Sequence, residues 1–575
     1  MSSTPQDRDE TADLIVGEYE ADEKQLLLLM KDWRKGRATR NLRQAISDAY
    51  VAMFALIMIA AMVINVIINA QKMASTCSSE ACSSGRGLLP WAALFGVFAL
   101  TLAAARMFGP VLASSAEGFW LMEAPIHRGR LLYRRLVSAT VIAFAGGAVL
   151  GALVAAVTGS PGLQVAAWAA ATGLGAAGLV AFAAAEQGAE RTGLVTALHL
   201  VASACAVATM LGVVATATGH ASVHIAGSTA LQLALLVAAL GLVLLVVAGL
   251  LARARLDQIR RARLMSGGSL VSGMQGAMFA LDFGLMRDIL TERDAMRRGS
   301  VRPTRGRGLG TKAIIWRDVQ RLIRFPKPLV LLAVSLVVPY AVQALGLGSL
   351  NVLISSIVLM AALIPFFGSL RVMSRTKGLA RCFPMTTSQI RTAVSVVPSV
   401  LAALWGLAAI PAFVGAGTDS RQPLVKGVVV SLICALAGLV AAMRWVAAKP
   451  ANYGGPMIST SAGAMPPGMA LNLVRGFDMV AVITLPVVFG LSPWVSLVLG
   501  AICFSVLRMG GLDQEELMAQ KEENDRMLAE MKAERRGETA PASGAPTKQK
   551  VAAAPRPSAQ PRATQVRRKP QQKKK

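Results

Sequence analysis

Two proline-headed basic segments hold the residues of this chain whose types and spacing suit a specific task. The first runs Phe119-Trp120-Leu121-Met122-Glu123-Ala124-Pro125-Ile126-His127-Arg128-Gly129-Arg130 and continues through Arg134 and Arg135. The second runs Leu379-Ala380-Arg381-Cys382-Phe383-Pro384-Met385 and continues to Arg391. In the first, Leu131, Leu132 and Leu136 stand between the arginines, which is the spacing of a short basic amphipathic helix. Proline suits the start of such a helix because its missing N–H is not needed there. Matched handles of this kind suit docking into a groove on a soluble motor subunit, with Glu123, Pro125, His127, Arg128, Arg130, Arg381 and Pro384 as contact residues. The alternative is a positively charged interfacial helix that only fixes topology. The recurrence at Pro384 favours the docking reading.

Other chemistry-bearing residues are sparse. There are four histidines, and His220 and His224 are spaced like ligands on one helix face. No carboxylate or cysteine stands near them, whereas a metal site needs three or four ligands. No metal site, cofactor site or catalytic cluster is expected in the chain. The closest string to a phosphate loop, Gly306-Arg307-Gly308-Leu309-Gly310-Thr311-Lys312, lacks the Gly-Lys pair and sits in a linker. ATP and its Mg would therefore be held by another subunit. Cys77 and Cys82, in Cys-Ser-Ser-Glu-Ala-Cys, are expected to form a small external disulfide, the alternative being two free thiols. Cys205, Cys434 and Cys503 read as packing residues.

The elements that must position the two handles are membrane helices. The chain has 575 residues, 54% of them hydrophobic and only 16% charged. Crossing a bilayer as a helix takes about 20 apolar residues, and a helix satisfies its own backbone polar groups. Twelve apolar segments meet that description: 48–70, 88–112, 137–158, 162–185, 193–218 and 229–252, then 328–347, 350–370, 391–414, 424–446, 476–491 and 492–508. The last two also read as one helix kinked near Pro486 and Pro493. The expected fold is an all-α polytopic membrane protein of about twelve transmembrane helices in two pseudo-repeated six-helix bundles. Each half has an even number of spans, so the repeats share one orientation.

The formal net charge of +27 reflects loop arginines rather than a nucleic-acid partner. Alternate loops carry Arg34 to Arg40, Arg128 to Arg135, the dense stretch from Arg253 to Lys327, and Arg371 to Arg391. The intervening loops carry little more than Lys72, Arg86, Arg421 and Lys426. This bias puts both termini and both handles in the cytoplasm. Charged residues in or beside the spans are few: Arg106 and Asp478 fall toward span ends, Glu186 and Glu190 lie at the turn between the fourth and fifth spans, and no carboxylate is expected at mid-membrane. Ion-coupled carriers usually have one there, so an external energy source is favoured.

Organisation follows from these segments. Residues 1–21 read as a disordered terminus. The first transmembrane half, 22–252, opens with an interfacial helix around Trp33. A basic cytoplasmic linker, 253–313, reads as flexible with one surface helix near Phe279 to Ile289. The second half, 314–508, opens with a similar interfacial helix around Trp316. A charged helix at 509–537 and a disordered basic tail at 538–575 follow; the tail's basic end would attract anionic lipid. The turn at Glu186 to Arg191 and the loop at Pro466-Pro467-Gly468 are candidate secondary motor contacts or plain connections.

The string Leu121-Met122-Glu123-Ala124-Pro125-Ile126-His127-Arg128-Gly129-Arg130-Leu131-Leu132 resembles the loop of an uncharacterised bacterial family of predicted ABC exporter permeases. Ile458-Ser459-Thr460-Ser461-Ala462-Gly463-Ala464-Met465-Pro466-Pro467-Gly468 and Arg475-Gly476-Phe477-Asp478 resemble its second signature. The resemblance covers most of residues 25–510. It implies an ABC-2-like membrane subunit with two fused halves, working with a separate ABC ATP-binding subunit in a bacterial plasma membrane to export an unidentified substrate. Thr386, Thr387 and Ser388 depart from the basic pattern of the first loop, so the first handle is expected to grip more tightly. The alternatives are an ion-coupled secondary transporter and a non-transporting membrane scaffold.

Overall fold

The computed structural model describes residues 42–75, 80–120, 128–223, 226–279, 283–300, 303–376, 382–415, 421–447, 458–460, 463–465 and 474–509, with Leu28 and Leu379. Helix covers every one of the twelve apolar segments. In the first half these are α1 (Leu42–Ser75), α2 (Glu80–Phe108), α4 (Arg128–Val157), α5 (Gly162–Gly188), α6 (Gly193–Ala217) and α7 (Gly227–Arg255), with a short α3 (Ser115–Trp120) between α2 and α4. Between the halves lie α8 (Arg261–Phe279) and α9 (Phe283–Arg298), then α10 (Thr311–Arg324). The second half has α11 (Lys327–Ser335), α12 (Val337–Ala344), α13 (Gly348–Leu363), α14 (Gly368–Arg375), α15 (Thr387–Val414), α16 (Leu424–Val446), α17 (Phe477–Val488) and α18 (Pro493–Met509). A small antiparallel hairpin pairs β1 (Ile458–Thr460) with β2 (Gly463–Met465). Among the described residues nine helical stretches are long and apolar enough to cross a membrane, and 53–69, 477–488 and 493–509 are shorter apolar segments. Large side chains such as Met53, Leu56, Ile59 and Met62 on α1 and Leu236, Leu240 and Val243 on α7 face outward. An outward apolar surface of that extent is what lipid would cover.

The helices of the first half run alternately up and down. At one end, core residues Val111, Leu132, Ala184, Ala252 and Leu264 bring together the C-termini of α2, α5 and α7 and the start of α4. At the other, Leu94, Ala155, Ala167 and Ala234 do the same for the opposite termini, with Trp91 meeting Trp168 edge-on at 4.7 Å. The first is the basic end, where Arg128, Arg130, Arg134, Arg253 and Arg260 lie; the second is the far end. α5 is the central helix, and small residues let its neighbours approach. A Cβ on Gly241 of α7 would stand 2.7 Å from the Gly175 backbone nitrogen, and one on Gly151 of α4 would stand 2.8 Å from the Trp168 carbonyl oxygen.

The second half has the same order. At its basic end, Arg391 donates to the Leu507 carbonyl at 3.2 Å and Arg508 to Thr392 Oγ1 at 2.8 Å, joining the start of α15 to the end of α18. Arg444 Nε donates to Asp478 Oδ2 at 2.9 Å, joining the end of α16 to the start of α17. The far ends of the halves meet each other. Ala217, Tyr340 and Ala412 form one cluster there, and Arg86, only 7% exposed, donates from Nε to the Ala344 carbonyl at 2.8 Å. Arg128 and Pro384 therefore lie at the same end of the molecule.

The halves also match in register. Thr172 Oγ1 of α5 lies within hydrogen-bond reach of the Gly147 carbonyl of α4 at 2.8 Å, sharing its one proton with the Trp168 carbonyl of its own helix at 2.7 Å. Ser431 Oγ of α16 donates to the Gly406 carbonyl of α15 at 2.6 Å, and both pairs are 25 residues apart. One constant shift in residue number carries Gly147 to Gly406 and Thr172 to Ser431. The same shift carries Pro125 to Pro384, and Phe108-Gly109 to Phe367-Gly368. Count α11 with α12 as the first segment of the second half, and α13 with α14 as its second. The same helix pairs then touch in both halves: second with third, fourth and fifth, third with fourth, and fourth with sixth.

Two expectations need adjusting, and the alternative left open for residues 476–508 is decided. The stretch 71–87, expected as an external loop, is largely helix: α1 runs through Ser75 and α2 starts at Glu80, which lets Arg86 sit on a helix against α12. The linker carries two packed helices, α8 and α9, where one was expected. Its Gly267 and Gly268 serve close packing: a Cβ on them would stand 1.9 Å from the Phe108 carbonyl oxygen and 1.8 Å from that of Ala113. Finally, 476–491 and 492–508 are separate helices, since Gly490 takes a left-handed φ of 79° that ends α17. With 12 residues, α17 rises about 18 Å, well short of the roughly 30 Å hydrocarbon core.

Candidate coupling surface at the basic end

The first handle is held by carboxylates remote from it in sequence. The Gly129 N–H, in the first turn of α4, donates to Asp257 Oδ1 at 2.5 Å. Glu117 of α3 takes Arg135 Nη2 at 2.5 Å and the Ser114 N–H at 3.0 Å, while Ser114 Oγ accepts from the Glu117 N–H at 3.2 Å. Burial alone would raise the Glu117 carboxyl, but the Ser114 bonds and the Arg135 guanidinium outweigh it and hold the group below its ordinary value. Arg253 stands over the Tyr133 ring at 5.3 Å and Arg261 over Phe119 at 5.6 Å. Arg128, Arg130 and Arg134 are exposed on the outer side of this frame.

The turn between α5 and α6 is pinned beside it. Glu186 is buried and stands 4.0 Å from Arg255, and Glu190, with a left-handed φ of 57°, pairs with Arg260. Gln187 clamps the irregular segment that follows α2: its Oε1 accepts from the Val111 N–H at 3.3 Å and its Nε2 donates to the Val111 carbonyl at 3.2 Å. Gly109 turns with φ of 87° beneath that amide. A cavity of about 480 Å³ opens here among Arg106, Glu186, Glu190, Arg191, Arg260 and Arg263.

In the second half, Pro384 is exposed and leads into a capping box. Thr386 Oγ1 accepts from the Gln389 N–H at 3.3 Å, and Gln389 Oε1 from the Thr386 N–H at 3.1 Å. Asp288 of α9 accepts from Arg371 at 2.6 Å and Arg375 at 3.1 Å, tying α9 to α14 just before the second handle. α10 is helical as its Ile and Trp pattern predicts, and it buries Ile314 and Asp318 against α15 and α14. Asp318 Oδ1 accepts from Ser369 Oγ at 2.5 Å.

Of the expected contact residues, Arg128, Arg130 and Pro384 are exposed at this end. Glu123, Pro125, His127 and Arg381 lie outside the described residues, as do Trp33, Cys77, His224, Pro466-Pro467-Gly468 and everything from residue 510 on. The Cys82 side chain, and with it the expected disulfide, is likewise outside them. Among the described residues no group of three His, Cys, Asp or Glu side chains is arranged to hold a metal. Sequence reading missed Glu117, Asp257 and Asp288. Asp257 is a lone acid between Arg253 and Arg263, but Glu117 has no Lys or Arg within eight residues and Asp288 stands near Asp282, Glu292 and Asp294, so nothing local points to their partners.

The helices and their lipid-type surface define a multi-pass α-helical membrane protein, capped at one end by basic helices. Residues 82–456 match a family of unknown function (DUF6297), and the chain belongs to that family. The matched stretch includes both handles, carries no functional description, and ends before the second signature string. No curated protein and no solved structure matches the chain.

Proposed function

We propose that this protein is the membrane subunit of an ATP-driven exporter of the ABC-2 type, with about twelve membrane helices in two fused six-helix halves. The basic end faces the cytoplasm of a bacterial plasma membrane, with both termini on that side. A separate ABC ATP-binding subunit holds ATP and Mg, grips the handles at Arg128 and Pro384, and moves the halves against each other to pass a substrate of unidentified chemistry. The observation that carries this reading is the shared register: a handle at the basic end, a hydroxyl-to-carbonyl contact between the third and fourth helices, and one set of helix pairs recur at matching positions in the two halves. The narrow contact between halves at Arg86, Tyr340 and Ala217 suits a bistable interface.

An ion-coupled carrier is the competing reading. It would place a carboxylate in mid-span. In the described apolar helices the carboxylates are Asp48, Glu80, Glu186 and Asp478, all close to helix ends, with Glu186 and Asp478 beside Arg255 and Arg444. The test is co-purification from membranes. Arg128→Gln/Arg130→Gln protein should insert normally and lose most of the ATPase that accompanies the wild type. Undiminished ATPase on the double variant, or transport that persists without any ATPase and collapses with the ion gradient, would refute the proposal.

A further inference from the structure

A cavity of about 550 Å³ opens at the basic end of the second half, between α9, α10 and the adjoining ends of α11, α13 and α15. Four cations line it, Arg287, Arg298, Arg321 and Lys327, against two carboxylates, Asp294 and Asp318. The nearby carboxylates are mostly engaged, although Asp318 Oδ2 is buried without a hydrogen-bond partner. Asp318 Oδ1 is taken by Ser369, Asp294 lies 3.6 Å from Arg298, and Asp288 serves Arg371 and Arg375. Arg287 Nη1 and Arg371 Nε are buried without a hydrogen-bond partner. Arg321 lies directly over Gly368, where a Cβ would come within 2.2 Å of its Nη1, so the backbone is shaped to admit that guanidinium. Burial, then the like charges of Arg371 and Arg321, push Arg287 down to about 10. Guanidinium groups gathered in a half-dry cleft are unfavourable unless an anion joins them.

We propose that this cavity binds a phosphoryl oxyanion between Arg287, Arg298 and Arg321, with Lys327 at its edge. Arginine forks match such oxygens in a bidentate manner. The rest of the wall is apolar, from Leu290, Leu322, Phe325, Ile364, Phe366 and Val397. It thus has room for the glycerol and upper acyl carbons of an anionic phospholipid, the source that the wall chemistry favours over free phosphate. The site is independent of the ATPase reading: it uses no residue of either handle and asks nothing of a motor.

The test is thermal unfolding of the purified full chain in neutral detergent, titrated separately with dioctanoyl phosphatidic acid, dioctanoyl phosphatidylcholine and inorganic phosphate. The phosphatidic acid should raise the midpoint saturably, the phosphatidylcholine should not, and Arg287→Gln/Arg321→Gln should weaken the response roughly tenfold or more, as loss of charge-assisted bonds does. Saturable protection by inorganic phosphate that competes with the lipid would support the oxyanion site with a soluble source. Without ligand, the double variant should melt no lower than wild type, because it removes a like-charge cluster. Equal protection by phosphatidylcholine, no protection by either phosphate compound, or an undiminished response in the double variant would overturn the proposal.

Discussion

Glu117 shows how single side chains hold the first handle. Its folded value is depressed by Ser114 and Arg135, so the stability it contributes is present above the ordinary carboxylate value of 4.5 and is lost as pH falls through the folded value. Melting midpoints of wild type and Glu117→Gln should differ at neutral pH and converge only as pH falls below the ordinary carboxylate range. A gap that is unchanged across that range would show that Glu117 acts by shape alone. The paired hydroxyls make a second residue-scale prediction. Thr172→Val and Ser431→Ala each remove one tie between the third and fourth helices of a half. Each should cost about 1 kcal/mol in reversible unfolding. A large cost at one site and none at the other would count against equivalent roles. Neither hydroxyl stood out in the sequence, because a threonine and a serine in apolar runs look alike whether or not they reach a neighbouring carbonyl. The two prolines were legible because each stands in a basic segment between the second and third apolar runs of its half.

At the scale of elements, apolar length located the helices, and the Ile-Trp-Val spacing located α10. The basic linker was misread for a physical reason. Ser266-Gly267-Gly268-Ser269 has the composition of a flexible chain, yet its glycines are what allow α8 to lie against the Phe108 and Ala113 backbones. Gly276 on the same helix has open space beyond it, which provides a control. Gly268→Ala should lower unfolding stability by about 1–3 kcal/mol, the usual range for overpacking, while Gly276→Ala should be neutral or slightly stabilising. Equal effects at the two positions would show that α8 is not seated as described. The residues that anchor the handles, Asp257 and Asp288, were hidden for a similar reason. Each comes from an element that only folding brings beside its partner, so no local pattern marks it.

For the whole molecule, α5 is the most central helix of the first half and α16 of the second, and the halves touch at their far ends through α2, α6 and α12. Such a joint leaves the basic ends as the long arm, where a push by a partner would have the most leverage. That account requires both handles on one side of the membrane. Two variants test it, each carrying a single cysteine, one at Arg130 (Arg130→Cys) and one being the native Cys382 beside Pro384, in a background with the other cysteines replaced. Both should react with a membrane-impermeant maleimide in inverted vesicles and stay unlabelled in intact cells. Labelling of one from each side of the bilayer would contradict the account.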